Sequence, residues 1–71
     1  MKLNEATPGF SGTITIIDGD TRFLSRITSI GLTQGCQIEI MQNEKKQPVL
    51  LLARDSLIAV NRKDCNRIEV Q

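Results

Sequence analysis

The residue types that most often carry chemistry are scarce in this chain. It has no His, so the usual general base near neutral pH and the commonest metal ligand are both missing. Its two cysteines, Cys36 and Cys65, lie far apart without the Cys-x-x-Cys spacing of a redox or zinc motif, and we expect both to be buried or half-buried free thiols. No nucleophile stands beside a plausible base, and the phosphate-cradling Gly-Lys-Ser/Thr motif is absent. We therefore predict that the protein is not an enzyme and has neither a cofactor nor a metal site of its own.

Two carboxylates, Asp18 and Asp20, flank Gly19 in an arrangement that resembles a fragment of a calcium-binding loop. The full ligand spacing of an EF-hand is missing. We therefore assign this segment a turn, with Asp20 or Thr21 as the N-cap of a following helix.

Five residues are candidates for contact with a partner. Arg22 and Arg26 share the polar side of the predicted helix and could bind an acidic surface, although a solvated polar face is the alternative. Leu32 is either an exposed anchor or an internal contact at the helix end. Lys45 and Lys46 could contact phosphates or acidic side chains, or could simply keep a loop tip soluble.

Length and composition indicate one soluble domain over residues 1–71. The hydrophobic share is 39%, the charged share is 24% and the net charge is +1. No apolar run approaches the roughly 20 residues of a membrane helix, and the start of the chain lacks the pattern of a secretory signal, so we expect a cytoplasmic location. The small net charge and the two Phe residues, which offer no stacking platform, argue against binding to nucleic acid.

Hydrophobic periodicity predicts short strands and one helix. In the first strand, alternation places Ile14 and Ile16 on one face. In the helix, an apolar stripe comprises Phe23, Leu24, Ile27 and Ile30. The predicted strands are 11–18, 36–41, 49–53, 57–60 and 68–70, the helix is 21–30, and a single helical turn lies within 61–66.

Residues that favour turns separate these segments. Gly31 is suited to the left-handed position that ends a helix, and Asp55 tolerates the same conformation in a tight hairpin. The predicted turn positions are Pro8, Gly9, Gly19, Gly31, Gly35 and Asp55. Short strands, tight turns and an early helix together predict a mostly β fold, a small SH3-like barrel of about five strands with the helix inserted after the first. An OB-fold is the main alternative.

The order of these elements and several residues resemble the FeoA family, the small accessory proteins of ferrous iron uptake. The resemblance extends over almost the whole chain and is most specific in the segment from Leu24 to Gly35. The matching residues are Leu3, Pro8-Gly9, the 14–17 strand, Gly19-Asp20, Leu24–Gly35, Ile58–Val60 with Arg62, and Arg67–Val70.

The sequence departs from the family pattern at several points. Gln34 stands where the family usually has Pro, Ser29 where it has an acidic residue, and Asp55 where it has Gly. The segment 44–47 replaces a Pro-Leu-Gly-Asp type of turn, and Ser56 replaces a common Tyr.

The resemblance implies a non-enzymatic adaptor that docks on the cytosolic GTP-binding part of the FeoB transporter and modulates it. Two alternatives remain. One is a small-barrel module that binds nucleic acid or the ribosome. The other is a stand-alone relative of the C-terminal domain of metal-dependent repressors, with weak transition-metal binding.

Overall fold

A computed structural model describes residues 1–71. It confirms five strands with a helix after the first, and it adds a 3₁₀ turn at Leu3–Glu5 that was not predicted. The elements are β1 (Ser11–Ile17), α1 (Thr21–Ser29), β2 (Gln37–Gln42), β3 (Val49–Ala53), β4 (Ser56–Val60), α2 (Arg62–Cys65) and β5 (Ile68–Val70). No helix has both the length and the apolar character needed to cross a lipid bilayer.

All five strands belong to one antiparallel sheet in the order β4-β3-β2-β1-β5. The sheet has the small SH3-like fold that the sequence predicted. The start of the chain covers the outer edge of β5, because Lys2 bridges to Glu69 and the Val70 N–H donates to the Met1 carbonyl at 2.8 Å. No strand pairs with the outer edge of β4, so the two edges of the sheet differ.

Two turns show how the sequence joins these strands. Arg54 and Asp55 both have positive φ, 53° and 65°, as a two-residue type I′ hairpin between β3 and β4 requires. Before β1, the Phe10 N–H donates to the Thr7 carbonyl at 3.0 Å, and Gly9 has φ +92°. Pro followed by a left-handed Gly is typical of a type II turn, which agrees with the predicted turn at this position.

Side chain and backbone contacts fix both ends of α1. At the N-terminus, Asp20 Oδ1 accepts a hydrogen bond from the Phe23 N–H at 2.9 Å, as expected of an N-cap. At the C-terminus, Gly31 has φ +106° and the Leu32 N–H donates to the Ile27 carbonyl at 3.1 Å. This is a Schellman motif, in which the residue after the glycine folds back on the last turn. Leu32 and Ile27 are accordingly both buried.

The predicted alternation along β1 is wrong beyond Ile14. The pairing of β1 with β5 shifts register between Ile14 and Ile16, so that two β1 residues lie opposite the single residue Glu69. Such a bulge reverses which side chains face inward. Ile14 is fully buried and Ile17 packs against the core, whereas Ile16 is 49% exposed.

Only two of the four residues in the apolar stripe predicted for α1 are buried. Phe23 and Ile27 are buried, but Leu24 is 38% exposed and Ile30 is 40% exposed. Leu24 is rotated by about 100° from Phe23 on an ideal helix, and Ile30 is the C-cap residue beyond the last helical turn. The nine-residue helix therefore presents only a narrow side to the core.

The core contains seventeen buried residues, all of them apolar. Cys36 and Cys65 are among them and form no disulfide, as predicted. Every charged side chain therefore lies at least partly at the surface, where the fold determines which charges become neighbours.

Candidate functional site: a basic face beside the two helices

The positive charges of the chain gather on one side of the molecule. Six of the nine Lys and Arg residues line two adjoining clefts beside α1 and α2, together with only two of the eight carboxylates. The rest of the chain carries three cations and six carboxylates. Positive and negative side chains are therefore strongly separated, although the net charge is only +1. We call this surface the basic face; its cations are Arg22, Arg26, Lys46, Arg62, Lys63 and Arg67.

The first cleft, the α1–α2 cleft, has a volume of about 500 Å³. Phe23 is its one hydrophobic lining residue, and the side chains around it are Asp20, Arg22, Arg26, Lys63, Asp64 and Arg67. The second cleft, of about 580 Å³, shares Arg26, Lys63 and Asp64 with the first and extends to the loop between β2 and β3.

Two guanidinium groups lie against the Phe23 ring. The Arg26 and Arg67 Cζ atoms are 5.4 and 5.2 Å from the ring centroid, within the range of a cation–π contact. The Arg26 Nη2 atom also donates to Asp64 Oδ1 at 3.3 Å. Because the Phe23 ring is itself almost fully buried, it restricts where the two guanidinium groups can lie.

Arg62 fixes the loop that borders the second cleft. Its guanidinium donates to the carbonyls of Glu44 and Gln47, both at 2.9 Å, and to Asn43 Oδ1 at 2.7 Å. These three hydrogen bonds hold the loop segment that contains Lys46, whose own φ is +65°. Arg62 therefore acts mainly as a structural link between α2 and the loop.

The structure brings together three of the five predicted partner-binding residues. Arg22, Arg26 and Lys46 all belong to the basic face, whereas Lys45 is exposed on the same loop but lines neither cleft. Leu32 is fully buried and makes the internal helix-end contact, the second of the two roles considered for it. Its side chain is not available as an exposed anchor.

Sequence reasoning missed the contribution of α2 and the residues beside it. Arg62, Lys63 and Arg67 are as important to the basic face as the arginines of α1, yet they lie about forty residues further along the chain. Their dense spacing in the segment 62–67 is the only local signal. Nothing in the sequence indicates that this segment faces α1.

The structure contains no group of three or more His, Cys, Asp and Glu residues that could hold a metal ion. Burial raises the pKa of the Cys65 thiol to about 11; Asp64 adds to this effect and Arg62 opposes it. Cys65 is therefore protonated at neutral pH, whereas metals bind the thiolate.

The fold and this site define a small SH3-like domain with one strongly basic surface. The family model described as the FeoA domain matches residues 1–71, and the chain belongs to this family. No curated protein sequence gives a significant match.

Solved structures with the same fold include FeoA proteins and a manganese-dependent transcriptional repressor. The crystal structure of an iron uptake regulatory protein (FeoA) is similar with a TM-score of 0.95 and 24% identity, over 100% of this chain and 95% of that one. Iron(II) transport protein A from Clostridium thermocellum has a TM-score of 0.92 and 24% identity, over 100% of this chain and 44% of that one. A manganese-dependent transcriptional repressor in complex with manganese has a TM-score of 0.88 and 18% identity, over 100% of this chain and 35% of that one.

Proposed function

We propose that this protein is a non-enzymatic accessory protein of ferrous iron uptake that acts in the cytoplasm. It docks on the cytosolic GTP-binding part of a FeoB-type membrane transporter and modulates it. The observation that carries the proposal is the FeoA family match over residues 1–71. The likeness to an iron uptake regulatory protein, over nearly the full length of both chains, agrees with this role.

The basic face is the docking surface in this proposal. Arg22, Arg26 and Lys46 contact an acidic region of the transporter, and Lys45 contributes from the neighbouring position of the loop. All four side chains are exposed, and only Arg26 has a carboxylate partner within the chain. Complementary charge of this kind raises the association rate and fixes orientation more than it raises affinity.

The open edge of β4 offers a second element for docking. The opposite edge of the sheet is covered by the start of the chain, whereas β4 has no neighbour on its outer side. Its five residues include neither Lys nor Pro, the residues that usually protect an exposed edge. A strand of the transporter could therefore extend the sheet at this position.

A pull-down with the GTP-binding part of the transporter, loaded with GDP or with a non-hydrolysable GTP analogue, tests the proposal. We expect association in at least one nucleotide state and a clear loss in the Arg22→Glu variant. The matched control is Lys2→Glu, which changes the charge by the same amount beside the covered edge of β5, opposite β4 and outside both clefts. The absence of association in both nucleotide states, or equal loss in both variants, would contradict the proposal.

A further inference from the structure

The α1–α2 cleft has more positive charge than its own carboxylates can neutralise. It is lined by Arg22, Arg26, Lys63 and Arg67. The two carboxylates in the cleft are both engaged, since Asp20 accepts from the helix N-terminus and Asp64 from Arg26. The only other ion pair in the structure joins Lys2 and Glu69, neither of which lines the cleft. Three cations therefore line this cleft without an ion-pair partner.

The geometry of the cleft favours a compact anion with many oxygen atoms. Arg26 and Arg67 are held against the Phe23 ring, so two planar guanidinium groups are already positioned before any ligand arrives. Positioned guanidinium groups bind phosphate oxygens through paired hydrogen bonds, and the ordering cost of binding is correspondingly lower. Lys63 adds a flexible point charge to the lining of the cleft.

The same cleft lacks the features that would recognise an aromatic base. Phe23 is its one hydrophobic residue and is only 3% exposed, so it presents no face for stacking. The other Phe of the chain, Phe10, precedes β1 and does not line the cleft. Binding would therefore depend on charge and oxygen acceptors alone.

We propose that the α1–α2 cleft binds an oligophosphate group, such as pyrophosphate or the phosphates of a nucleoside di- or triphosphate, without recognising the base. A single phosphate satisfies fewer of the four cations, so affinity rises with the number of linked phosphates. The inference concerns the isolated chain and does not rest on docking to a transporter. If both proposals hold, an oligophosphate competes with docking, because Arg22 and Arg26 belong to both sites.

Calorimetric titration of the full chain with inorganic pyrophosphate tests this inference. We expect one site per chain, weaker binding of orthophosphate, equal binding of ATP and GTP, and no binding of adenosine. NMR titration should place the largest shift changes on the backbone amides of residues 20–26 and 62–67. The absence of a pyrophosphate site, or a strong preference between ATP and GTP, would overturn the inference.

Three variants of equal charge change separate a site from general attraction. Arg67→Gln and Lys63→Gln should each weaken pyrophosphate binding by about tenfold or more, because each removes a charged donor to the ligand. Arg54→Gln, outside both clefts, should change it by less than about twofold, since a distant charge is largely screened. Lys63 makes no internal hydrogen bond or ion pair through its side chain, so this variant tests binding even if Arg67→Gln fails to fold.

Other anions serve as competitors in the same titration. Citrate and a short single-stranded RNA should both bind more weakly than pyrophosphate at equal ionic strength. Equal binding of citrate would identify a general anion surface, and tighter binding of the RNA would identify a nucleic-acid surface. Either result, or an equal effect of all three variants, would overturn the oligophosphate assignment.

Discussion

Replacement of Leu32 by Ala tests whether this residue belongs to the core or to a contact surface. Its side chain is fully buried, and its N–H closes the end of α1 on the Ile27 carbonyl. Truncation of a buried Leu to Ala costs about 2–5 kcal/mol, because it removes apolar contact and leaves a cavity. A chain of 71 residues has a free energy of unfolding of roughly 4–11 kcal/mol, so a loss near about 3 kcal/mol is a large part of the total. The melting temperature should fall by about 12–24 °C.

Leu57→Ala is the matched control, because the same chemical change is made at a side chain that is 63% exposed. We expect it to alter the free energy of unfolding by about 0.5 kcal/mol or less. Urea unfolding followed by far-ultraviolet circular dichroism suits both variants, since the chain has neither Trp nor Tyr. Equal stability of the two variants would refute the assignment of Leu32 to the core. So would a Leu32→Ala protein that keeps its stability but no longer binds the transporter.

Three further changes test other parts of the structure by the same unfolding measurement. Gly31→Ala should lower the free energy of unfolding by about 1–3 kcal/mol, since a φ of +106° is strained for any residue with a Cβ atom. An unchanged urea midpoint would contradict the Schellman motif at the C-terminus of α1. Asp20→Ala should lower the free energy of unfolding by about 1 kcal/mol through loss of the hydrogen bond from the Phe23 N–H, whereas Asp18→Ala removes no such bond and should have little effect. Equal effects of the two variants would contradict the assignment of Asp20 as the N-cap residue. The raised pKa of Cys65, about 11 against 9.0, predicts that stability falls as pH rises above 9, because the unfolded thiol loses its proton first. Between pH 8 and 10.5 the free energy of unfolding of the unsubstituted chain should fall by about 2 kcal/mol more than that of a Cys65→Ala variant. Parallel pH profiles of stability for the two proteins would refute this.

The elements of this fold could be predicted from the sequence because each depends on residues close together in the chain. Alternation of apolar residues indicated β2, an unbroken apolar run indicated β3, and the change to a helical period indicated α1. Gly31 and Asp55 marked chain reversals, which require a positive φ that few residues tolerate. The FeoA resemblance added the order in which these elements assemble.

Predictions of burial were less successful, because burial depends on which elements pack together. Ile16 follows the alternation of β1, but a bulge opposite Glu69 turns its side chain outward. Leu24 and Ile30 fit the apolar stripe of α1, yet only the narrower side formed by Phe23 and Ile27 is buried in the core. A bulge and a packing angle are properties of paired elements, and neither can be deduced from one segment alone.

The sequence alone determined the strands, the helix and its ends, the absence of histidine and the small net charge. Only the tertiary structure decided how that charge is distributed. Arg22 and Arg67 are forty-five positions apart in the chain, and they line one cleft because α1 and the segment after α2 meet around the Phe23 ring. Net charge is a sum over all residues and carries no information about where the charges lie. The electrostatic field at a surface depends instead on the distances between charges, which folding creates.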